Sequence, residues 1–253
     1  MMWILDYLKS SIGKKQTMGL AGLGLVGFLG GHLAGNLQLL NLDAAAAQAA
    51  YNAYTKFLTG MKPLIWFVEA GLVGVFLYHA VLATKLKLEN LKARGRSRYA
   101  VNAHVGAATP ASYTMYVTGS AILLFAVLHL AVFKFGTHYL YVDAKGDLIR
   151  DMWLTTVLFF GNPVYMGLYV LALLAIGVHL FHALPSLFRT FGLEHPKWTP
   201  IFTAVGMLAA AAISAGFVGT AVGTFALTKT DATQAQIQKA QAAQTVLQAK
   251  LAK

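Results

Sequence analysis

The sequence predicts an all-α integral membrane protein, a bundle of five transmembrane helices. Three observations predict it. Hydrophobic residues make up 57% of the 253-residue chain and charged residues only 11%, against about 25% in an ordinary soluble domain. The mean hydropathy is +0.60, and a chain this apolar takes lipid as its solvent. Apolar runs recur at 18–40, 63–84, 113–136, 163–188 and 199–228, and each is long enough to cross a ~30 Å hydrocarbon core, which takes ~20 helical residues.

Taken in order, residues 1–17 carry Lys9, Lys14 and Lys15 ahead of the first run. That run is too long for the apolar region of a cleavable signal, so none is expected. Residues 41–62 read as a short Ala-rich helix on the outer side between spans one and two. Pro63 and Pro163 each open a span, where a proline in the first turn loses no hydrogen bond. Residues 85–98 read as a basic loop. Residues 152–162 are apolar yet too short to span, which predicts an interfacial segment. The transmembrane domain is thus expected over 1–228, with an Ala/Gln-rich tail over 229–253 on the outer side. In that tail Ile237, Ala240, Val246, Leu247 and Leu251 fall near helical spacing, open to docking or to looser order.

The net charge of +11 is distributed between the spans, so it reads as topology and not as a nucleic-acid face. With the N-terminus inside, the short cytoplasmic segments hold Lys9, Lys14, Lys15, Lys85, Lys87, Lys92, Arg94, Arg96, Arg98, Arg189 and Lys197. The outer ones hold Lys56, Lys62, Lys134, Lys145 and Arg150. This bias predicts a cytoplasmic N-terminus. The chain has no cysteine, which excludes disulfides, thiolate haem ligation, iron–sulfur clusters and Cys-based zinc sites.

Any redox centre must therefore use histidine, and the histidines are patterned. Thr17-Met18 opens the first span with His32 fourteen residues after Met18, and Thr114-Met115 opens the third with His129 fourteen after Met115. His79 and His179 each follow a span-opening proline, Pro63 or Pro163, by sixteen residues. At ~1.5 Å per residue, His32 shares a depth with His129 and His79 with His179, the two depths being roughly 15 Å apart. A lone histidine in a span is accounted for by one hydrogen bond to a neighbouring carbonyl. Four at two matching depths point instead to axial ligation of two haems in a bundle core, because ionisable residues in spans are rare and functional by default. His182, one turn beyond His179, is the alternative ligand on that span, or a donor to a propionate or quinone. His104, His138 and His195 fall in loops or at interfaces. Arg189, just past the fourth span, is the candidate cation for a haem propionate or a partner contact.

The segments TMGLAGLGLVGFLGGHLAGNLQ, LYHAVLATKLKLENLKARGRSRYA, TMYVTGSAILLFAVLHLAVFKFG and HLFHALPSLFRTFGLEHPKW, in this order and spacing, resemble the di-haem cytochrome b membrane anchor of succinate:quinone oxidoreductases, the succinate dehydrogenases and fumarate reductases. They cover most of residues 17–198. The resemblance implies two b haems, the proximal one on His79 and His179 and the distal one on His32 and His129. It also implies an FAD flavoprotein subunit and an iron–sulfur subunit on the cytoplasmic side, menaquinone or another quinone as substrate near the distal haem, and a bacterial cytoplasmic membrane. Two departures stand out. Ala183 and Pro185 replace a common Gly and Trp, and Gly177 stands where some fumarate reductases carry a glutamate linked to proton movement.

Glu69 is the one acidic residue inside a predicted span, ~9 Å from its outer end by helical rise. It has two readings: a hydrogen bond or an ion pair with a residue such as Lys62, or proton exchange in a distal quinone pocket. Two other functions compete. One is the di-haem quinone-reactive subunit of a hydrogenase or formate dehydrogenase; the other is a haem-free transporter with a His/Glu proton relay.

Overall fold

The structure is a computed structural model that describes residues 2–95 and 110–251; Arg96, Arg98 and His104 lie outside the described residues. It is predominantly helical. In chain order the elements are α1 (Met2–Lys9), α2 (Ser11–Asn36) with a 3-10 turn at Leu37–Leu40, α3 (Ala44–Gly60), α4 (Leu64–Arg94) and α5 (Pro110–Phe133). Then come β1 (Leu140–Val142), β2 (Leu148–Arg150), α6 (Met152–Gly161), α7 (Pro163–Thr190), α8 (Thr199–Leu227) and α9 (Asp231–Leu251). Five segments, 11–40, 64–94, 112–133, 163–190 and 199–227, are long and apolar enough to cross a membrane.

The ends of these helices follow from local chemistry. Asn162 Oδ1 accepts from the backbone N–H of Val164 at 2.9 Å and of Tyr165 at 3.2 Å, so it caps α7 just ahead of Pro163. Asp43 does the same for α3, accepting from Ala45 and Ala46 N–H at 3.0 Å. Gly95, at φ 68°, ends α4, in a left-handed conformation that only glycine adopts cheaply.

One expectation needs correction. Residues 85–94 are not loop; α4 continues to Arg94 because Leu, Lys, Glu and Ala propagate a helix well. Residues 152–161, too short to span, form α6, which buries Trp153, Leu154, Thr155, Thr156, Val157 and Phe160 against the rest of the chain. The small antiparallel hairpin, pairing Leu140 with Arg150 and Val142 with Leu148, and the N-terminal helix α1 were not foreseen.

Backbone contacts divide the chain into two compact units. Unit 1 comprises Met1–Leu29, Val68–Leu123 and Ala175–Ser214; unit 2 comprises Gly30–Phe67, Leu124–Leu174 and Ala215–Lys253. In unit 1, Lys14 on α2 pairs with Glu89 on α4 at 2.6 Å, and Gln16 Nε2 donates to the Thr190 carbonyl of α7 at 3.2 Å. These bonds tie three of the long apolar helices together at the end where the basic residues gather.

Unit 2 contains a helical cap built from α3, α6, α9 and the hairpin. Its core is Leu39, Ala44, Ala47, Tyr51, Trp153, Leu154, Val157, Ile237 and Ala240. Burying a large apolar side chain contributes about 1.5–3 kcal/mol, and Trp153 and Leu154 are 2% and 0% exposed. The tail is thus docked. Beyond its apolar stripe, Gln244 of α9 takes the role of a third strand. Its Oε1 accepts from Leu140 N–H and its Nε2 donates to the Leu140 carbonyl, both at 2.7 Å.

Candidate functional site

The structure brings the four in-register histidines together as two pairs, one in each unit. In unit 1, His79 of α4 faces His179 of α7, with ring centres 6.4 Å apart and ring planes at 63°. In unit 2, His32 of α2 faces His129 of α5 at 5.8 Å and 89°. Two imidazoles that bind one metal from opposite sides, at about 2.0 Å per bond and about 1.1 Å from nitrogen to ring centre, have centres about 6.2 Å apart. Both pairs lie within a few tenths of an ångström of that separation. Among the described residues no group of three or more His, Asp or Glu side chains converges, as a metal held by protein ligands alone would need. A haem asks the protein only for two axial ligands.

Ligation through Nε2 requires that Nδ1 carry the proton, and hydrogen bonds to Nδ1 are how a protein sets that tautomer. His79 Nδ1 lies 3.0 Å from the Met18 carbonyl of α2. A carbonyl can only accept, so Nδ1 is the protonated nitrogen and Nε2 keeps its lone pair. His179 Nδ1 lies 3.1 Å from Thr118 Oγ1 of α5. The Thr118 hydroxyl proton is committed to the Thr114 and Met115 carbonyls, at 3.0 and 3.2 Å. Its oxygen is therefore left to accept from His179. His129 Nδ1 lies 2.8 Å from the Tyr169 hydroxyl of α7.

Glycines complete the cradle in unit 1. A Cβ added at Gly22 would sit 3.3 Å from His79 Cε1, and one at Gly119 would sit 3.5 Å from His179 Cε1. Gly22 and Gly119 each stand four residues after the methionine of a Thr-Met pair. The repeated pattern T-M-x-x-x-G was therefore visible in the sequence, although only its first two residues entered the sequence reading. Gly22→Val is expected to push the His79 ring off its axis at an overpacking cost of about 1–3 kcal/mol. If this pair holds a haem, haem content would fall by one per chain, with the His32/His129 pair unaffected. Full haem content in that variant would show that the close approach is incidental.

The remaining candidates are placed less tightly. His182 is half-buried on α7, but the ring that faces His79 is that of His179. Arg189, in the last turn of α7, has its Nε 4.0 Å from Glu194 Oε1, and this buried nitrogen has no hydrogen-bond partner among the described residues. Glu69 is half-buried on α4, within unit 1. His195 is a local capping residue: its backbone N–H donates to Thr199 Oγ1 at 2.8 Å and its Nδ1 accepts from Lys197 N–H at 3.2 Å. His138 is exposed.

One further residue escaped the sequence reading as a site candidate. Arg150, at the end of β2, donates to the Lys134 carbonyl at 3.1 Å and to the Thr137 carbonyl at 3.5 Å. Its buried Nε likewise has no partner among the described residues. Burial holds the guanidinium below its ordinary pKa, the signature of a cation partly stripped of water. Among the described residues each unit thus holds an arginine whose buried Nε has no hydrogen-bond partner. In the sequence Arg150 looked like an ordinary outer-loop charge.

Compared with family models, characterised proteins and solved structures, the chain matches none.

Proposed function

We propose that this chain is the di-haem cytochrome b membrane anchor of a succinate:quinone oxidoreductase, with His79 and His179 as axial ligands of one b haem and His32 and His129 of the other. The observation that carries this reading is the facing of two histidine pairs at bis-imidazole distance. Each pair joins two different long apolar helices. When bound, a bis-His haem cycles between ferric and ferrous iron by outer-sphere electron transfer.

The chain's own residues do the rest. Met18 and Thr118 hold the two unit 1 imidazoles as Nδ1–H tautomers. Arg189 in unit 1 and Arg150 in unit 2 supply charged donors for propionate carboxylates, which need a cation when removed from water. His182 is a further donor candidate on the unit 1 side. Glu69 is the proposed proton-exchanging group for the quinone, an ionisable residue within a span being functional by default. The apolar spans keep bulk water from both sites. On this reading the basic end of unit 1, with Lys85, Lys87, Lys92 and Arg94 on the α4 extension, receives the iron–sulfur and FAD subunits at the cytoplasmic face of a bacterial membrane. Electrons pass between them and menaquinone or a related quinone.

The test is to purify the chain with whatever subunits accompany it. Two haems per chain with low-spin spectra, and co-purifying flavoprotein and iron–sulfur subunits with succinate:quinone activity, are expected. Two haems with a hydrogenase or formate dehydrogenase partner would keep the di-haem assignment and move the chain to that complex. A haem-free chain would leave the proton-relay transporter.

A further inference from the structure

The three visible orienting contacts are chemically unequal. His79 is held by a backbone carbonyl and His179 by a threonine hydroxyl already fixed to two carbonyls. In unit 2 the partner is a phenol, Tyr169, 2.8 Å from His129 Nδ1. The phenol is surrounded by aromatic rings. Tyr169 meets Phe125 at 4.8 Å and Phe160 at 5.0 Å between ring centres, both close to perpendicular. Phe159 and Phe133 follow at 5.7 and 6.2 Å. His129 itself sits between Phe125 and Phe133, one turn either side of it on α5, at 5.7 and 5.0 Å. Rings packed edge to face at these separations have few alternative rotamers, so the hydroxyl is fixed in place and the imidazole with it.

We infer that Tyr169 is the positioning residue of the unit 2 site, whose phenol oxygen accepts the His129 Nδ1 proton and so fixes both the tautomer and the electron donation of that ligand. The inference rests on the di-haem reading and extends it to a residue that does not touch the iron. If the phenol donated instead, the His129 proton would reside on Nε2 and ligation from that nitrogen would be blocked. As an acceptor it draws the Nδ1 proton toward itself, makes Nε2 a stronger donor and favours ferric iron. The donor strength of His129 therefore depends on a side-chain oxygen, whereas that of His79 depends on a backbone carbonyl out of reach of side-chain variation.

Tyr169→Phe keeps the ring and its packing and deletes only the acceptor. Optical redox titration and low-temperature EPR of the purified complex read the two haems separately, the unit 2 haem being the one absent in His129→Ala. In Tyr169→Phe the unit 2 haem is expected to be retained with a raised midpoint potential and a shifted ferric EPR signal, the other haem being unmoved. Phe133→Leu, which perturbs the ring cage without touching the hydroxyl, is the second variant. Loss of the unit 2 haem in Tyr169→Phe with its retention in Phe133→Leu supports the inference equally. Two haems with unchanged potentials and signals in Tyr169→Phe overturn it and leave the di-haem reading standing. An equal shift in Phe133→Leu overturns it in favour of packing. A wild-type complex without bis-His haem overturns both.

Discussion

On the proposed di-haem reading, replacing His79 or His179 by alanine is expected to remove the same haem and leave the other, taking the haem-to-polypeptide ratio from two to one. Replacing His32 or His129 should remove the complementary one. The pairing follows from geometry: each imidazole faces an imidazole of another helix, at 5.8 or 6.4 Å between ring centres. Changes that only disturb an orienting hydrogen bond cost about 10–100-fold in metal affinity, so deleting a ligand outright is expected to cost more. Pyridine haemochrome assay and reduced-minus-oxidised spectra of the four single variants check it. The assignment on α7 is checked in the same series. His182→Ala should keep both haems, because it is His179 that faces His79. If instead His182→Ala loses the unit 1 haem while His179→Ala keeps it, the ligand on α7 is misassigned. A ratio of zero in every variant would mean that the two sites do not fold separately.

How much of this was legible in the sequence depended on the reach of the interaction. Spans announce themselves because lipid imposes a length and a composition on contiguous residues. The histidine pairing was legible for the same reason, since a fixed rise per residue converts spacing into depth. What α6 packs against was not. Ten apolar residues look alike whether lipid or protein covers them, and the covering helices α3 and α9 lie about a hundred residues before and some eighty residues after Trp153. The contact of Tyr169 with His129 was hidden likewise, because the two lie forty residues apart and nothing local distinguishes this tyrosine from any other in an apolar helix. Arg150 read as a topology signal. Only the folded chain shows that its guanidinium turns back onto the carbonyls beyond α5.

The largest stability effect is expected in the cap of unit 2, at Asp151. This carboxylate is fully buried and accepts from Gln48 Nε2 at 2.5 Å, Asn52 Nδ2 at 2.8 Å and the Leu154 N–H at 2.9 Å. Asn52 in turn accepts from the Trp153 N–H at 3.0 Å, and Gln48 Oε1 accepts from Gln236 Nε2 of α9 at 2.5 Å. One side chain therefore caps α6 and joins it to α3 and, through Gln48, to α9. Asp151→Ala would strand three buried donors, each costing about 1–3 kcal/mol when unpaired. With partial relaxation a loss of about 3 kcal/mol is expected, which is about 100-fold in the closed-to-open ratio. Amide exchange in α6 and α9 should accelerate by that factor while amides in unit 1 keep their protection. Asp151→Asn keeps an acceptor oxygen for Asn52 and Leu154 but sets its own N–H donors against Gln48 Nε2, so it should lose less than alanine. The two variants also differ with pH. Burial raises the Asp151 carboxyl above its ordinary value of 3.8, against the lowering effect of its three donors, so the folded cap binds that proton more tightly than the unfolded chain does. Its contribution is therefore greatest below the unfolded pKa and declines as pH rises through the higher folded value. Asp143 behaves oppositely. Lys56 holds its carboxyl below the ordinary value, so the contribution of that pair is present above the unfolded pKa and is lost on acidification. The wild-type cap should accordingly show two opposed pH dependences in α6 exchange, and Asp151→Asn should abolish only the one that weakens the cap as pH rises. Unchanged exchange in α6 and α9 of Asp151→Ala would mean that apolar packing around Trp153 and Leu154 holds the cap without this network.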